Sequence, residues 1–306
     1  MTPVDGTGEL FGTGDATDPL FTHLRDPSHE WESTARCFAE RLWMVFQSYA
    51  DPHFLTEIRR DFSARFWEMY LTCAFLEKAS DRGYFLSCPK PGPDIRLDLN
   101  GDRIWVEAVT ATNGEPGRPD SLMEPSPDGS YRIPEEKIVL RYTTAIRDKY
   151  VKYLHYLRMG LVHKNDAYVV AVNQSSLAYR WVAAAIDLPR FLKAVYPIGE
   201  LEVLIDRNVP RIVGAQNRPR FFIPKANKSK VPVQAFVDRR WRGLSAGLCS
   251  GAHVGWSKSP LGADLELAYN PLSRRPIARG VIPAAREWWA KLNGTDGELF
   301  CDPERS

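Results

Sequence analysis

Pro93-Asp94-Ile95-Arg96-Leu97-Asp98-Leu99-Asn100-Gly101-Asp102-Arg103-Ile104-Trp105-Val106-Glu107-Ala108-Val109 is the stretch from which the rest of the chain can be read. Apolar and charged residues alternate from Ile95 to Leu99, Asn100-Gly101 follows, and a second apolar-rich run ends at Val109. Asn-Gly between alternating hydrophobics is the strongest short-range hairpin signal, because a two-residue turn needs positive φ at both positions. The predicted arms run from Asp94 to Leu99 and from Arg103 to Ala108. A hairpin sets its arms side by side, so Asp94 and Glu107 can present a pair of carboxylates. A hard divalent cation takes oxygen ligands of that kind.

Upstream, Trp31, Phe38, Leu42 and Phe46 repeat with helical spacing and predict a helix from about Glu30 to Ser48. A second helix is predicted from about Phe54 to Ala79, its apolar face gathering Leu55, Phe62, Phe66, Met69, Tyr70, Cys73 and Leu76. Gly83 suits the left-handed position that ends it. Glu68 lies on this helix, about 130° from the centre of the apolar face at 100° per residue. Downstream, Asn113 to Pro134 is rich in Gly, Pro, Ser and Asp and reads as an exposed loop. A long helix is predicted from about Pro134 to Arg158, and Tyr168 to Val172 reads as a buried strand. Further helix near Leu188 to Val195, short strands after Leu201, and a packing helix at Trp288-Trp289 complete the pattern. This is an α/β fold with a mixed central β-sheet flanked by helices. Residues 1–20 read as a mobile tail, and 21–306 as one α/β domain with a β-rich, basic C-terminal part.

Composition bounds the chemistry. Five scattered cysteines with no Cys-x-x-Cys pair argue for reduced thiols and against a structural zinc or disulfide framework. The six histidines show no paired metal spacing. Gly12-Thr13-Gly14 lacks the strand and the Gly-Lys-Ser/Thr of a phosphate loop. The longest apolar runs, Ala167 to Val172 and Trp181 to Ile186, fall far short of the roughly 20 residues of a membrane span. The acidic start has no apolar h-region, so a cytoplasmic protein without a signal peptide is expected. Net charge is only +2, yet from Asp206 to Lys258 eleven Lys and Arg face two Asp, while the first 60 residues lean acidic. That asymmetry fits either a polyanion-facing surface or a solvated, loop-rich face.

The acid-bearing helix, the Pro-Asp, and the acid on the next strand together resemble the PD-(D/E)xK nuclease superfamily, over roughly Phe62 to Asn173. The family order is a helix with a Glu, then Pro-Asp, then Asp/Glu-x-Lys on the following strand. Glu68, Asp94 and Glu107 match it, but Val109 stands where the lysine belongs. The resemblance implies a restriction-endonuclease-like fold and a nuclease hydrolysing phosphodiester bonds with Mg²⁺ or Mn²⁺. It also implies that Asp94 and Glu107 hold the metal, with Glu68 assisting. Nucleic acid is then the partner, DNA ahead of RNA, and pairing into a homodimer stays open. The alternative is a catalytically inactive nucleic-acid-binding module on the same fold.

In some members of such families the lysine has moved to an adjacent helix. With Arg141 at 0°, the apolar residues of the Pro134–Arg158 helix centre near 150°. Lys149 then falls at about 80°, beside the buried face, Lys152 near 20° and Lys137 near −40°. Lys149 can snorkel toward the site most easily and is the candidate to orient the attacking water. Arg141, Thr144 and Lys152 are candidate phosphate contacts. Arg239-Arg240-Trp241-Arg242 combines cations with an aromatic, which suits backbone contact with base stacking, or else a charge-protected strand edge. Asn173-Gln174-Ser175-Ser176 reads as a polar turn.

Overall fold

The computed structural model describes residues 8–125, 132–180, 188–206, 208–209, 211–257, 259–293 and 296–302. Asn100 and Gly101 have φ of 50° and 86°, the pair of positive values that a type I′ turn requires. Strands β2 (Ile95–Leu99) and β3 (Asp102–Thr110) accordingly pair antiparallel, with Leu99 opposite Asp102 and Ile95 opposite Val106. β1 (Phe85–Ser87) pairs antiparallel with β2. The chain crosses through helix α5 (Glu135–Arg158) to β4 (Ala167–Asn173), which runs parallel to β3. All seven residues of β4 are buried, as a strand covered on both faces must be.

A short helix α6 (Leu192–Val195) leads into two small sheets. One pairs β5 (Ile198–Asp206) with β6 (Arg211–Pro219), the other β7 (Phe222–Pro224) with β8 (Lys230–Pro232). The chain then rejoins the main sheet through β9 (Ala246–Ser250), β10 (Glu266–Tyr269), β11 (Arg286–Asn293) and β12 (Asp296–Cys301). The main sheet has the order β1-β2-β3-β4-β9-β10-β11-β12. Its centre is the parallel trio β3, β4 and β9, with antiparallel strands on either side. The protein is thus mixed α/β, a large mixed sheet flanked by helices. No helix among the described residues is long and apolar enough to cross a membrane.

Two cores lie on the two faces of the sheet. One packs α1 (Pro19–Arg25), α2 (Glu30–Phe46), α3 (Phe54–Glu57) and α4 (Phe62–Arg82) against Ile104, Val106 and Ala108 of β3. The other packs α5 and α6 against Trp105 of β3 and Val170 and Val172 of β4. Period-two alternation along β3 therefore assigns Glu107 to the α5 face.

The structure alters several sequence expectations. The helix predicted from Phe54 is broken at Asp61, whose side chain accepts from the Ala64 N–H and caps α4. Gly83 ends α4 with φ 73°, as expected of a left-handed C-cap. Ten successive residues from Phe66 to Phe75 are buried, because α4 is packed between α2 and the sheet. No polar face is left over its middle turns, and Glu68 is drawn inside with 6% exposure. Within the stretch expected to be a tail, Leu10 and Phe11 are buried, and α1 begins at Pro19. Residues 1–7 lie outside the described residues, as do the run Trp181 to Ile186 and part of the 113–134 loop. Trp288-Trp289 is strand, not helix, because β11 pairs parallel with β10.

Trp67 fastens the first core to the sheet, its Nε1 donating to the Ala171 carbonyl of β4 at 3.1 Å. It is fully buried, so Trp67→Ala is expected to cost about 3–5 kcal/mol in urea unfolding, from lost burial and the cavity left behind.

Candidate functional site

The β2/β3 register, continued one residue past Ile95 opposite Val106, brings Asp94 opposite Glu107. Asp94 Oδ2 accepts the Ala108 N–H at 2.7 Å, so the carboxylate also caps the ladder where Pro93 begins the arm. Lys90 Nζ lies 3.5 Å from Asp94 Oδ1 and 3.4 Å from Glu68 Oε1. Arg65 donates to Glu68 Oε2 at 2.6 Å and also pairs with Glu57. Lys90 thus ties Glu68, which arrives from the α4 face, to Asp94 at the start of the hairpin.

Glu107 is fully buried. Lys149 Nζ and Lys152 Nζ each donate to its Oε1 at 2.7 Å. The helical wheel predicted that Lys149 would reach further than Lys152, but both arrive at the same oxygen. Spacing of i and i+3 puts them on one side of α5, and their long stems close the remaining angle. Lys149 is the better covered, at 21% side-chain exposure against 45% for Lys152. Val109 is half-buried and packs with the α5-side core, so the strand position two residues on from Glu107 holds no cation.

Glu107 Oε2 is buried and has no hydrogen-bond partner. An unmet carboxylate oxygen costs about 1–3 kcal/mol when desolvated, and it is the kind of atom a hard cation seeks. Mg²⁺ is commonly held by one or two carboxylates together with water and substrate phosphate, so Asp94 and Glu107 fit that donor set. Glu68 stands on the other side of the sheet from Glu107. Among the described residues, no group of three or more His, Cys, Asp or Glu side chains is gathered to hold a metal ion by itself.

Electrostatics bind the cluster together. Burial, reinforced by Asp94, raises the Glu68 carboxyl above its ordinary value, against the pull of Lys90 and Arg65. At Lys90 burial alone would lower the ammonium pKa, but Glu68 and Asp94 outweigh it and the pKa rises. At Lys152 burial is likewise outweighed by Glu107, with Tyr156 adding a hydrogen bond, and the pKa rises. Both lysines therefore stay charged at neutral pH.

The raised Glu68 pKa has a consequence for stability. A group protonated more readily when folded stabilises fully below its unfolded pKa, and that contribution is lost as pH rises through the folded value. Stability should fall as pH climbs from about 4.3, and Glu68→Gln should flatten this part of the curve. Urea unfolding of both proteins over a pH series checks it; an unchanged slope in the variant would assign the effect elsewhere.

The candidate phosphate contacts are mostly engaged within the chain. Arg141 Nε donates to the Thr112 carbonyl at 2.6 Å and braces the loop after β3. Thr144 bonds back to the Leu140 carbonyl. Arg239, Arg240 and Trp241 form a 3₁₀ turn capped by Asp238, not a strand. Arg240 Nε pairs with Asp238 Oδ2 at 2.8 Å. Trp241 stacks on Tyr150 of α5, centroids 4.7 Å apart, so its ring is used in packing. Arg239 and Arg242 are exposed. Asn173 is a buried tie, donating to the Ala252 carbonyl at 2.9 Å and accepting from the Ser175 N–H. Sequence reasoning missed Lys90 and Tyr156, whose hydroxyl donates to the Gly92 carbonyl at 3.0 Å. Lys90-Pro91-Gly92-Pro93-Asp94 did carry a signal for the first, a cation four residues ahead of the acid on a proline-stiffened segment.

No family model, no curated protein and no solved structure matches this chain.

Proposed function

We propose that the protein is a metal-dependent nuclease of the PD-(D/E)xK type on a restriction-endonuclease-like sheet, with its lysine supplied by α5 instead of β3. The observation that carries this reading is the convergence of Lys149 and Lys152 on Glu107, 2.7 Å each, beside a strand position where Val109 has no charge. Mg²⁺ or Mn²⁺ would be held by Asp94 and Glu107, and when bound it neutralises phosphate charge and makes a water more acidic.

The chain's own residues would do the rest. Lys149 offers the three N–H donors of its ammonium. Held by Glu107, it can turn one donor to the attacking water or to a non-bridging phosphate oxygen as negative charge builds up there. Lys152 keeps the Glu107 carboxylate neutralised when Lys149 turns. The Ala108 N–H holds the Asp94 carboxylate in a single orientation, and Glu68 acts at one remove by positioning Lys90. Exposed Arg239 and Arg242, with Lys228 and Lys230 in and beside the β7/β8 hairpin, supply long-range attraction for a phosphate backbone. DNA is the substrate expected first.

A second reading, a silent nucleic-acid-binding module, has its own observation in favour. Lys90, Lys149 and Lys152 already neutralise Asp94 and Glu107 within the chain. Cleavage of mixed DNA and RNA substrates across Mg²⁺, Mn²⁺ and Ca²⁺ separates the two. A nuclease cleaves with Mg²⁺ or Mn²⁺ and loses this in Asp94→Ala, Glu107→Ala and Lys149→Ala. Binding without cleavage under every ion decides for the silent module.

A further inference from the structure

β4 brings a second buried polar atom to the α5 face, beside Glu107. Parallel register sets Tyr168 opposite Trp105 and Val170 opposite Glu107, so Tyr168 and Glu107 are diagonal neighbours on one face of the sheet. Tyr168 is fully buried, and its ring lies 4.5 Å from that of Tyr153 on α5, centroid to centroid. Its hydroxyl is buried and has no hydrogen-bond partner among the described residues, the same condition as Glu107 Oε2. Buried polar atoms are almost always hydrogen-bonded, so two unmet ones on neighbouring side chains call for a common cause.

The other donors near Glu107 are already committed. Tyr156 donates to the Gly92 carbonyl and Tyr150 to the Arg240 carbonyl, while Lys149 and Lys152 both meet Oε1. Burial, with the charge of Glu107 next in weight, holds the Tyr168 phenol well above its ordinary pKa. The phenol therefore keeps its proton at neutral pH and is an unused donor beside an unused acceptor. No direct bond joins them. Whatever satisfies both must accept from a hydroxyl and donate to a carboxylate, and a buried water does both.

We propose that Tyr168 is a positioning residue of the Glu107 site, its hydroxyl holding a buried water that donates to Glu107 Oε2. The two lysines then fix one carboxylate oxygen and the Tyr168 water fixes the other, which sets the plane of the group. The water uses one lone pair of Oε2 and leaves the second for a cation, so Tyr168 orients the carboxylate from outside the ligand set, as the hydrogen-bonded partners of metal ligands do. The shared water stands independently of the nuclease reading; its service to a cation rests on that reading.

Tyr168→Phe removes the hydroxyl and keeps the ring on Tyr153. A hydroxyl that served nothing would be no loss, and the variant would be as stable as wild type or more so. One that serves the Glu107 charge through a water is missed: the unfolding constant in urea should rise about tenfold. In a Glu107→Gln background the same change should cost about threefold or less, because the charge that strengthens the bond has gone. Without nucleic acid, Tyr168→Phe should weaken Mn²⁺ binding about tenfold by titration calorimetry. A crystal structure of the wild-type chain should show a water within about 3.2 Å of both atoms, and this can be seen whether or not the variant folds. A Tyr168→Phe protein as stable as wild type, an equal cost in both backgrounds, or no water at that place overturns the proposal. Mn²⁺ affinity unchanged by the substitution overturns the positioning role. A wild type that binds no Mn²⁺ sinks the nuclease reading instead, and the stability cycle and the water still decide this one.

Discussion

Glu107→Gln is expected to lower metal-dependent phosphodiester cleavage by about 10³-fold or more while leaving the fold intact. Glutamine keeps the shape but removes the charge that would hold both the cation and the ammonium of Lys149, an electrostatic role worth several kcal/mol in the transition state. The cost to the folded state is small for the opposite reason. Glu107 is completely buried with one oxygen unmet, and desolvation offsets much of what its two ion pairs return. Lys149 and Lys152 keep part of their side chains in solvent and can turn their ammoniums to water when the carboxylate is gone. Stability should change by about 1–2 kcal/mol at most. Steady-state cleavage beside urea unfolding checks both halves. A variant with wild-type cleavage removes Glu107 from the site, and a variant that unfolds makes it a structural acid.

Lys149→Met is expected to cost about 10²- to 10³-fold in cleavage rate, the size of effect seen when one charge-stabilising donor is removed. Lys152→Met should cost only about tenfold, because it balances Glu107 from a more exposed position and Lys149 still occupies the same oxygen. The difference between the two separates a group acting on the phosphate from one that only neutralises. In the Lys149→Met background, Val109→Lys should recover part of the lost rate. Residues i and i+2 of a strand share a face, so a lysine at 109 would project on the same side as Glu107. Single-turnover cleavage of the three variants at saturating metal decides it. Equal losses at Lys149 and Lys152, with no recovery from Val109→Lys, would exclude a migrated lysine.

Much of the hairpin was legible because its causes are local. The alternation of Ile95, Leu97 and Leu99, and the tolerance of Asn100 and Gly101 for positive φ, are properties of neighbouring residues. The same is true of the αL residue Gly83 at the end of α4 and of the unbroken apolar run of β4. Less was legible where packing overrides periodicity. Glu68 sits at a wheel position that reads as solvated, but α4 is enclosed between α2 and the sheet, and no position on its middle turns stays wet. Trp288 and Trp289 carry a helix-like cue, yet β10 was there to pair with them. Trp241 suggests base stacking until Tyr150 takes its ring.

The candidate site divides along the same line. Chain order and turn chemistry alone placed one acid on each arm of a hairpin and put lysines on the helix that follows. Only the tertiary structure decided which cations meet which acids. Parallel pairing of β3 with β4 requires α5 to cross one face of the sheet, and the pleat of β3 turns Glu107 to that face. Those long-range constraints bring Lys149 and Lys152, 42 and 45 residues away in sequence, onto one oxygen. They also keep Glu68 on the far side, joined through Lys90. Periodicity reports which side of an element is apolar; what stands across from that side depends on how the elements are assembled.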